Sequence, residues 1–282
     1  MSGRLLRLDA ELVRRSLARS RENASSLITA GRVSVNGHVA TKPATNVARD
    51  ADIVVRSDDQ AVDYVSRGGH KLAGALRDFA PYGVAVEGKR CLDAGASTGG
   101  FTDVLLRAGA REVLAVDVGY GQLAWSLQSD PRVEVHDRTN IRALSLEQIG
   151  EPVELIVGDL SFISLELVLD ALIGVSRPDA DLVLMVKPQF EVGKDRLGKG
   201  GVVRDPELRA EAVRSVADAA RARGWGAHAV ARSQLPGPSG NVEFFLLLRH
   251  GDAALTPDDV DAAVYGQDRQ VPQTAQAEGG DD

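Results

Sequence analysis

Cys91-Leu92-Asp93-Ala94-Gly95-Ala96-Ser97-Thr98-Gly99-Gly100-Phe101 runs from an apolar strand through a glycine-rich turn into a helix. Glycines in such a turn let the backbone approach a ligand closely, and the helix that follows points N–H groups at it. Outward from this stretch, short apolar runs alternate with amphipathic ones. They predict strands at 90–94, 112–117, 132–136, 154–158, 182–186, 226–232 and 242–248. Helices are predicted at 70–79, 101–109, 121–129, 164–175 and 206–223, the last capped by Asp205 with Pro206 at its first position. Regular alternation of this kind makes an α/β protein with an open, mostly parallel, Rossmann-like sheet of seven strands. Ligands of such sheets bind beyond the carboxyl ends of the strands, where the strand order switches.

The turn also narrows the ligand. Asp117 ends the second strand, 22 residues beyond Gly95, where an acid can accept hydrogen bonds from both hydroxyls of an adenosine ribose. That spacing alone suits dinucleotides as well. The loop, however, reads G-A-S-T-G-G and lacks the G-x-G-x-x-G fingerprint. Asp93 places an acid where a pyrophosphate would be repelled and an amino-acid ammonium attracted. S-adenosyl-L-methionine carries such an ammonium and a sulfonium, so a methyl donor is the expected cofactor. Its expected binding set is Asp93, Gly95, Ala96, Ser97, Thr98, Gly99, Phe101 and Asp117. Asp137 joins them as an acceptor for the adenine amino group, although a strand-end turn residue is an equal reading. Cys91 and His136 are expected to be structural.

The chain has 282 residues, enough for about two domains. A single cysteine excludes a disulfide framework and a cysteine-rich zinc module, and fits a reducing cytoplasm. The opening residues carry no apolar stretch of signal-peptide type, and no run approaches the roughly 18 apolar residues of a membrane span. Neither a membrane nor a metal is expected. The net charge of -7 argues against nucleic acid until it is divided. Residues 1–56 carry +5, residues 57–250 carry -5, and residues 251–282 carry -7. The expected organisation is a basic module (1–60), a linker (61–70), a catalytic body (71–250) and an acidic, disordered tail (251–282).

In the basic module Asp9 is expected to cap a helix over 10–19, and Ser20 a second over 21–30, closed by Gly31. Asn36-Gly37 is the strongest short hairpin signal, and a strand follows at 51–56. Arg4, Arg7, Arg14, Arg15, Arg19, Arg21, Asn36 and Lys42 are the candidate RNA-binding residues, although arginines on a helix also suit a merely solvated face. The run from Leu8 to Val47, above all AGRVSVNGHVATKPATNV, resembles the αα-β RNA-binding domain of a small-subunit ribosomal protein, pseudouridine synthases and tyrosyl-tRNA synthetases. The resemblance implies contact with folded RNA through its backbone and shape.

Four charged residues stand at element ends where packing does not call for them: Lys71 at a helix start, Asp159 after ELIVG, Lys187 after DLVLMV, and Glu243 after GNV. A lysine at a helix N-terminus opposes the helix dipole. Singly, each is as easily a solvated charge. Together they set two lysines and two carboxylates on one rim of the sheet. SRGGHKL, LDAGASTGGFTDVLL, VDVGYGQL, DRTN, DLSFISL, VKPQFE and GNVEFFL resemble the TlyA branch of the FtsJ-like ribose 2′-O-methyltransferases, historically labelled hemolysins. The resemblance spans residues 4–250 and implies a class I methyltransferase. Its Lys-Asp-Lys-Glu catalytic tetrad falls on Lys71, Asp159, Lys187 and Glu243, and its substrate is ribosomal RNA or the ribosomal subunits. Three alternatives stay open: a nicotinamide oxidoreductase, a non-catalytic ribosome-assembly factor, and a pore-forming hemolysin. The last lacks a membrane-active segment in the sequence.

Overall fold

The computed structural model describes residues 5–18, 20–55, 62–198, 200–237 and 239–266. The chain divides into two compact units, Met1–Arg67 and Gly68–Asp282.

The first unit opens with β1 (Leu6–Arg7) and α1 (Leu8–Arg14), followed by α2 (Arg21–Thr29). Then come β2 (Val33–Val35), β3 (His38–Val39), β4 (Asn46–Val47) and β5 (Ile53–Val55). β1 pairs with β4, and β3, β2 and β5 form an antiparallel sheet in that order. Ser20 caps α2 by accepting the N–H of Asn23 at 3.1 Å, and Gly31 leaves the helix at φ 68°. Asn36 and Gly37 both adopt positive φ (49° and 80°), the primed turn whose twist matches the flanking strands. Leu8, Leu12, Ala24, Ile28 and Val33 are fully buried between the helices and the sheet.

The first helix departs from expectation. It starts at Leu8 and stops at Arg14, and Asp9 lies buried in its first turn instead of capping it. Ser16 turns the chain at φ 57°, and the N–H groups of Leu17 and Ala18 both bond the carbonyl of Leu12. Seating Ala18 in the core requires the chain to leave the helix, so packing overrides the helical run.

The second unit holds β6 (Arg90–Ala94), β7 (Glu112–Val116), β8 (Val133–His136), β9 (Val153–Gly158) and β10 (Ser176–Val186) in parallel. β11 (Trp225–Arg232) and β12 (Phe244–His250) complete a seven-stranded sheet in the order β11-β12-β10-β9-β6-β7-β8. β12 runs antiparallel to both of its neighbours. The path from β6 goes outward through β7 and β8, then returns to β9 on the other side of β6. The switch in strand order therefore lies between β6 and β9. β7, β9, β12 and the second half of β10 are buried, mostly apolar runs, whereas the edge strand β8 is partly exposed.

The covering helices are α3 (Arg67–Phe79), α4 (Gly100–Arg107), α5 (Trp125–Gln128), α6 (Leu146–Ile149), α7 (Leu169–Gly174), α8 (Pro188–Glu191), α9 (Pro206–Arg221) and α10 (Pro257–Tyr265). The helix expected over 121–129 is only the single turn α5. The one expected over 164–175 divides into a 3-10 turn, Leu165–Leu167, and α7. α3 begins at Arg67, within the stretch expected as linker.

α10 corrects the expectation of a disordered tail from residue 251. Thr256 and Asp259 form a capping box, Pro257 sits in the first turn, and Val260 and Val264 are buried. Its acids, Asp258 and Asp259, stand at the helix end where negative charge is favourable. Residues 267–282, the remainder of the expected tail, lie outside the described residues. No helix among the described residues is long and apolar enough to cross a membrane.

Candidate active site and cofactor cradle

The four charged residues at element ends form two ion pairs. The ammonium of Lys71 on α3 lies 2.5 Å from Oε2 of Glu243, with both side chains buried. The ammonium of Lys187 lies 2.6 Å from Oδ1 of Asp159 and donates to Ser161 Oγ at 2.8 Å. Lys187 is 7% exposed, so its charge is held by these partners and not by bulk water. Strand geometry places the pairs together. Val186 on β10 stands opposite Phe244 on β12, so the antiparallel register sets Lys187 opposite Glu243 at the next position. Asp159 follows the end of β9, which runs parallel beside β10.

The loops that carry these groups are fastened. Asn241 is buried, accepts the N–H of Val203 at 2.9 Å and donates to the carbonyl of Gly201 at 2.9 Å. A Cβ at Gly237 would stand 2.5 Å from Glu243 Oε1, so a larger residue there would displace that carboxylate. Glu191 on α8 accepts from Ser164 Oγ at 2.6 Å and from the N–H of Leu165 at 3.0 Å. It thereby ties the loop after β9 to the helix after β10, and its burial raises the carboxyl above its ordinary range. Phe162, on the same loop, has φ 65° and is 91% exposed, and its ring packs against Phe190 at 5.3 Å. A positive φ in an aromatic residue is strained, and such strain persists where the surroundings impose it.

The residues expected to hold the cofactor lie along the carboxyl ends of β6, β7 and β8. Gly95 (φ 87°) brings the turn against the loop after β9, where a Cβ would stand 3.0 Å from the carbonyl of Asp159. Gly99 (φ 95°) begins α4, and any side chain there would strike Leu123 and Leu127. Ala96 is buried, while Ser97 and Thr98 are exposed. Ser97 donates its N–H to Asp117 Oδ2 at 2.8 Å, and Gly119 donates to the other oxygen at 2.7 Å. Asp137 accepts from the N–H of Gly121 at 2.9 Å, which brings the third strand's end to the same rim.

Asp93 has no exposed surface. Its Oδ2 accepts from Thr102 Oγ1 at 2.7 Å, and its Oδ1 has no hydrogen-bond partner. Burial, reinforced by the charges of Asp159 and Asp117, pushes its carboxyl up to about 7. A buried acceptor left unpaired beside a glycine turn fits a ligand that brings a positive donor. S-adenosylmethionine therefore fits this cradle, through its ammonium toward Asp93 and its ribose toward Asp117. The Phe101 ring, at the start of α4, is 3% exposed and packs 6.0 Å from Phe245.

In the first unit the expected RNA-binding residues divide. Arg15 is spent on structure: it pairs with Glu11 at 2.7 Å and donates to the carbonyls of Ala51 and Arg49. Asn36 is likewise a turn residue, its Oδ1 accepting the N–H of Asp52. Arg14 pairs with Glu11, and Arg7 and Arg21 share Asp9, yet all three remain about half exposed or more. These arginines hold both carboxylates well below the usual range, Glu11 at about 2. Lys42 is exposed. Arg4 and Arg19 lie outside the described residues. Sequence reasoning missed Ser161, Glu191 and Gly237. Ser161 and Glu191 sit inside the DLSFISL and VKPQFE motifs and Gly237 in a Pro-rich loop, but none of the three stands out by charge at the end of a predicted element.

The FtsJ-like methyltransferase family matches residues 64–250, and the S4 domain matches residues 6–53. The 16S/23S rRNA (cytidine-2′-O)-methyltransferase TlyA of Mycobacterium tuberculosis is 58% identical over 263 residues, 93% of this chain and 97% of that one. Hemolysin A of Brachyspira hyodysenteriae is 36% identical over 240 residues, 85% of this chain and 98% of that one. A solved structure from Streptococcus thermophilus that carries a hemolysin label superposes with a TM-score of 0.73 at 32% identity, covering 94% and 96% of the two chains.

Proposed function

The chain belongs to the FtsJ-like methyltransferase family, and from that premise we propose that it methylates the ribose 2′-hydroxyl of cytidine in ribosomal RNA. The observation that carries the reading is the pair of buried lysine–carboxylate contacts, Lys187–Asp159 and Lys71–Glu243, on neighbouring strand ends at the rim of the cofactor cradle. S-adenosylmethionine, when bound, supplies the methyl group to this rim.

A ribose hydroxyl is a poor nucleophile and has to be aligned and relieved of its proton. Lys187 is the group assigned to the 2′-hydroxyl. It receives the proton when its amine is neutral, or steers an oxygen lone pair when it is charged. Asp159 holds that nitrogen in place from one side. Glu243 holds Lys71, whose cation adds a fixed positive charge to a partly dehydrated pocket. Asp93 and Asp117 bind and orient the cofactor's ammonium and ribose. Phe162 offers an exposed ring face on which a nucleobase stacks.

The S4 unit supports the choice of substrate. Arg7, Arg14, Arg21 and Lys42 present positive charge suited to the phosphates of folded RNA in a ribosomal subunit within the cytoplasm. A nicotinamide oxidoreductase and a non-catalytic assembly factor both leave the two buried lysines without a task.

The test is a Lys187→Ala variant. S-adenosylmethionine binding, read by titration calorimetry, should stay within a few-fold of the parent. Methyl transfer to ribosomal RNA should fall at least about 100-fold. Full transfer by the variant, or the absence of any lost 2′-O-methyl site in ribosomal RNA from cells lacking the protein, would overturn the reading.

A further inference from the structure

We propose that Ser161 is a positioning residue for the reacting nitrogen: it completes the fixation of Lys187 and so aims that group at the substrate oxygen. The inference rests on the assignment of Lys187 to the 2′-hydroxyl. A lysine nitrogen offers three directions beyond its carbon. Ser161 Oγ takes one of them by a hydrogen bond at 2.8 Å, whereas Asp159 Oδ1 lies 2.6 Å away as an opposite charge outside hydrogen-bond geometry. The bond to Ser161 sets the rotation about Cε–Nζ, and with it the other two directions. A neutral amine carries its lone pair in one of them, and a charged one carries an N–H there. With the charge of Asp159 alone the nitrogen would still rotate about the Cε–Nζ bond, and no direction would be fixed.

The placement of Ser161 suits this task. Asp159 and Ser161 lie two residues apart on one loop and meet the same nitrogen, one by charge and one by a hydrogen bond. The loop itself is secured beyond Ser161, by Phe162 packing on Phe190 and by Ser164 and Leu165 bonding Glu191. Both of those partners belong to α8, the helix that begins immediately after Lys187. The lysine and its acceptor are thus carried by two segments fastened to each other. The Lys187 ammonium also lies 6.0 Å from the Phe190 ring, so α8 adds an aromatic face to its surroundings. Ser161 is exposed, which puts its hydroxyl at the mouth of the site and not in the core.

The experiment compares Ser161→Ala and Ser161→Thr in the full chain. At saturating ribosomal RNA and cofactor, the single-turnover rate of Ser161→Ala should fall about 10- to 100-fold, the cost of a misdirected reacting group. Its KM for RNA and its affinity for S-adenosylmethionine should stay within about twofold, because Ser161 holds the lysine and not the ligands. Ser161→Thr keeps the hydroxyl and should recover most of the rate. A rate within twofold of the parent in Ser161→Ala, or equal loss in both variants, would overturn the proposal.

A second readout needs no turnover. The chain has six lysines, so the ¹⁵N signal of the Lys187 ammonium can be assigned by its loss in Lys187→Arg. Ser161→Ala should shift that signal and speed its proton exchange, whereas Ser161→Thr should do neither. An unchanged signal in Ser161→Ala would sink the proposal. If the parent chain fails to methylate RNA, the methyltransferase reading fails, and the Lys187 signal alone then decides whether Ser161 positions it.

Discussion

At Asp93 a single carboxyl records what the cradle is built to receive. An aspartate in the unfolded chain has an ordinary value near 3.8, while burial holds Asp93 at about 7. Between those values the folded state binds more protons than the unfolded one, so stability falls as pH rises through the window. Asp93→Asn removes the titration. The variant should match the parent near pH 4 and exceed it at pH 8 by roughly 1–3 kcal/mol, read from thermal unfolding of the cofactor-free protein. It should also bind S-adenosylmethionine more weakly, since the ammonium loses a charged partner. Equal stability of the two proteins at pH 8 would contradict the buried, strained carboxyl. The position of Asp93 was legible from its place before a glycine turn. Its missing partner was not, because burial is a property of what packs around the strand.

At the scale of elements, α10 shows how charge misleads. Counting acids across 251–282 suggests a disordered appendage, and residues 257–265 instead form a capped helix with Val260 and Val264 in the core. Two valines four residues apart among aspartates are a faint amphipathic signal, overwhelmed by composition. Val264→Asp should therefore cost about 2–4 kcal/mol, from lost apolar burial and a charge placed where water is excluded. Ending the chain after Gly266 should leave the unfolding midpoint and RNA affinity near those of the parent. A denaturant titration of both variants separates the outcomes. The strands of the sheet were easier to read, since unbroken apolar runs between turns need no partner to be recognised. The first helix was harder, because its early end serves the burial of Ala18.

For the whole molecule, the net charge of -7 conceals a basic first unit whose residues 1–56 carry +5. Affinity for ribosomal RNA should accordingly fall as salt rises. Arg14→Ala and Lys42→Ala should each reduce the slope of log affinity against log salt by about 0.7–0.9, the signature of one lost phosphate contact. Arg15→Ala should instead lower stability, because its guanidinium holds Ala51, Arg49 and Glu11. Fluorescence anisotropy with a ribosomal RNA fragment at several salt concentrations distinguishes these cases. A slope unchanged in both surface variants would place the RNA contacts elsewhere.

Read alone, the sequence marked out the sheet, its glycine turn and the hairpin at Asn36-Gly37, and picked out four charged residues at element ends. These depend on periodicity, backbone freedom and motif order, which are local or linear properties. Only the folded chain settles which of those four charges pair, that Ser161 bonds the nitrogen of Lys187, and that Arg15 is spent on backbone carbonyls. Those outcomes depend on side chains distant in sequence competing for the same space and the same protons. No spacing along one chain can rank such competitors.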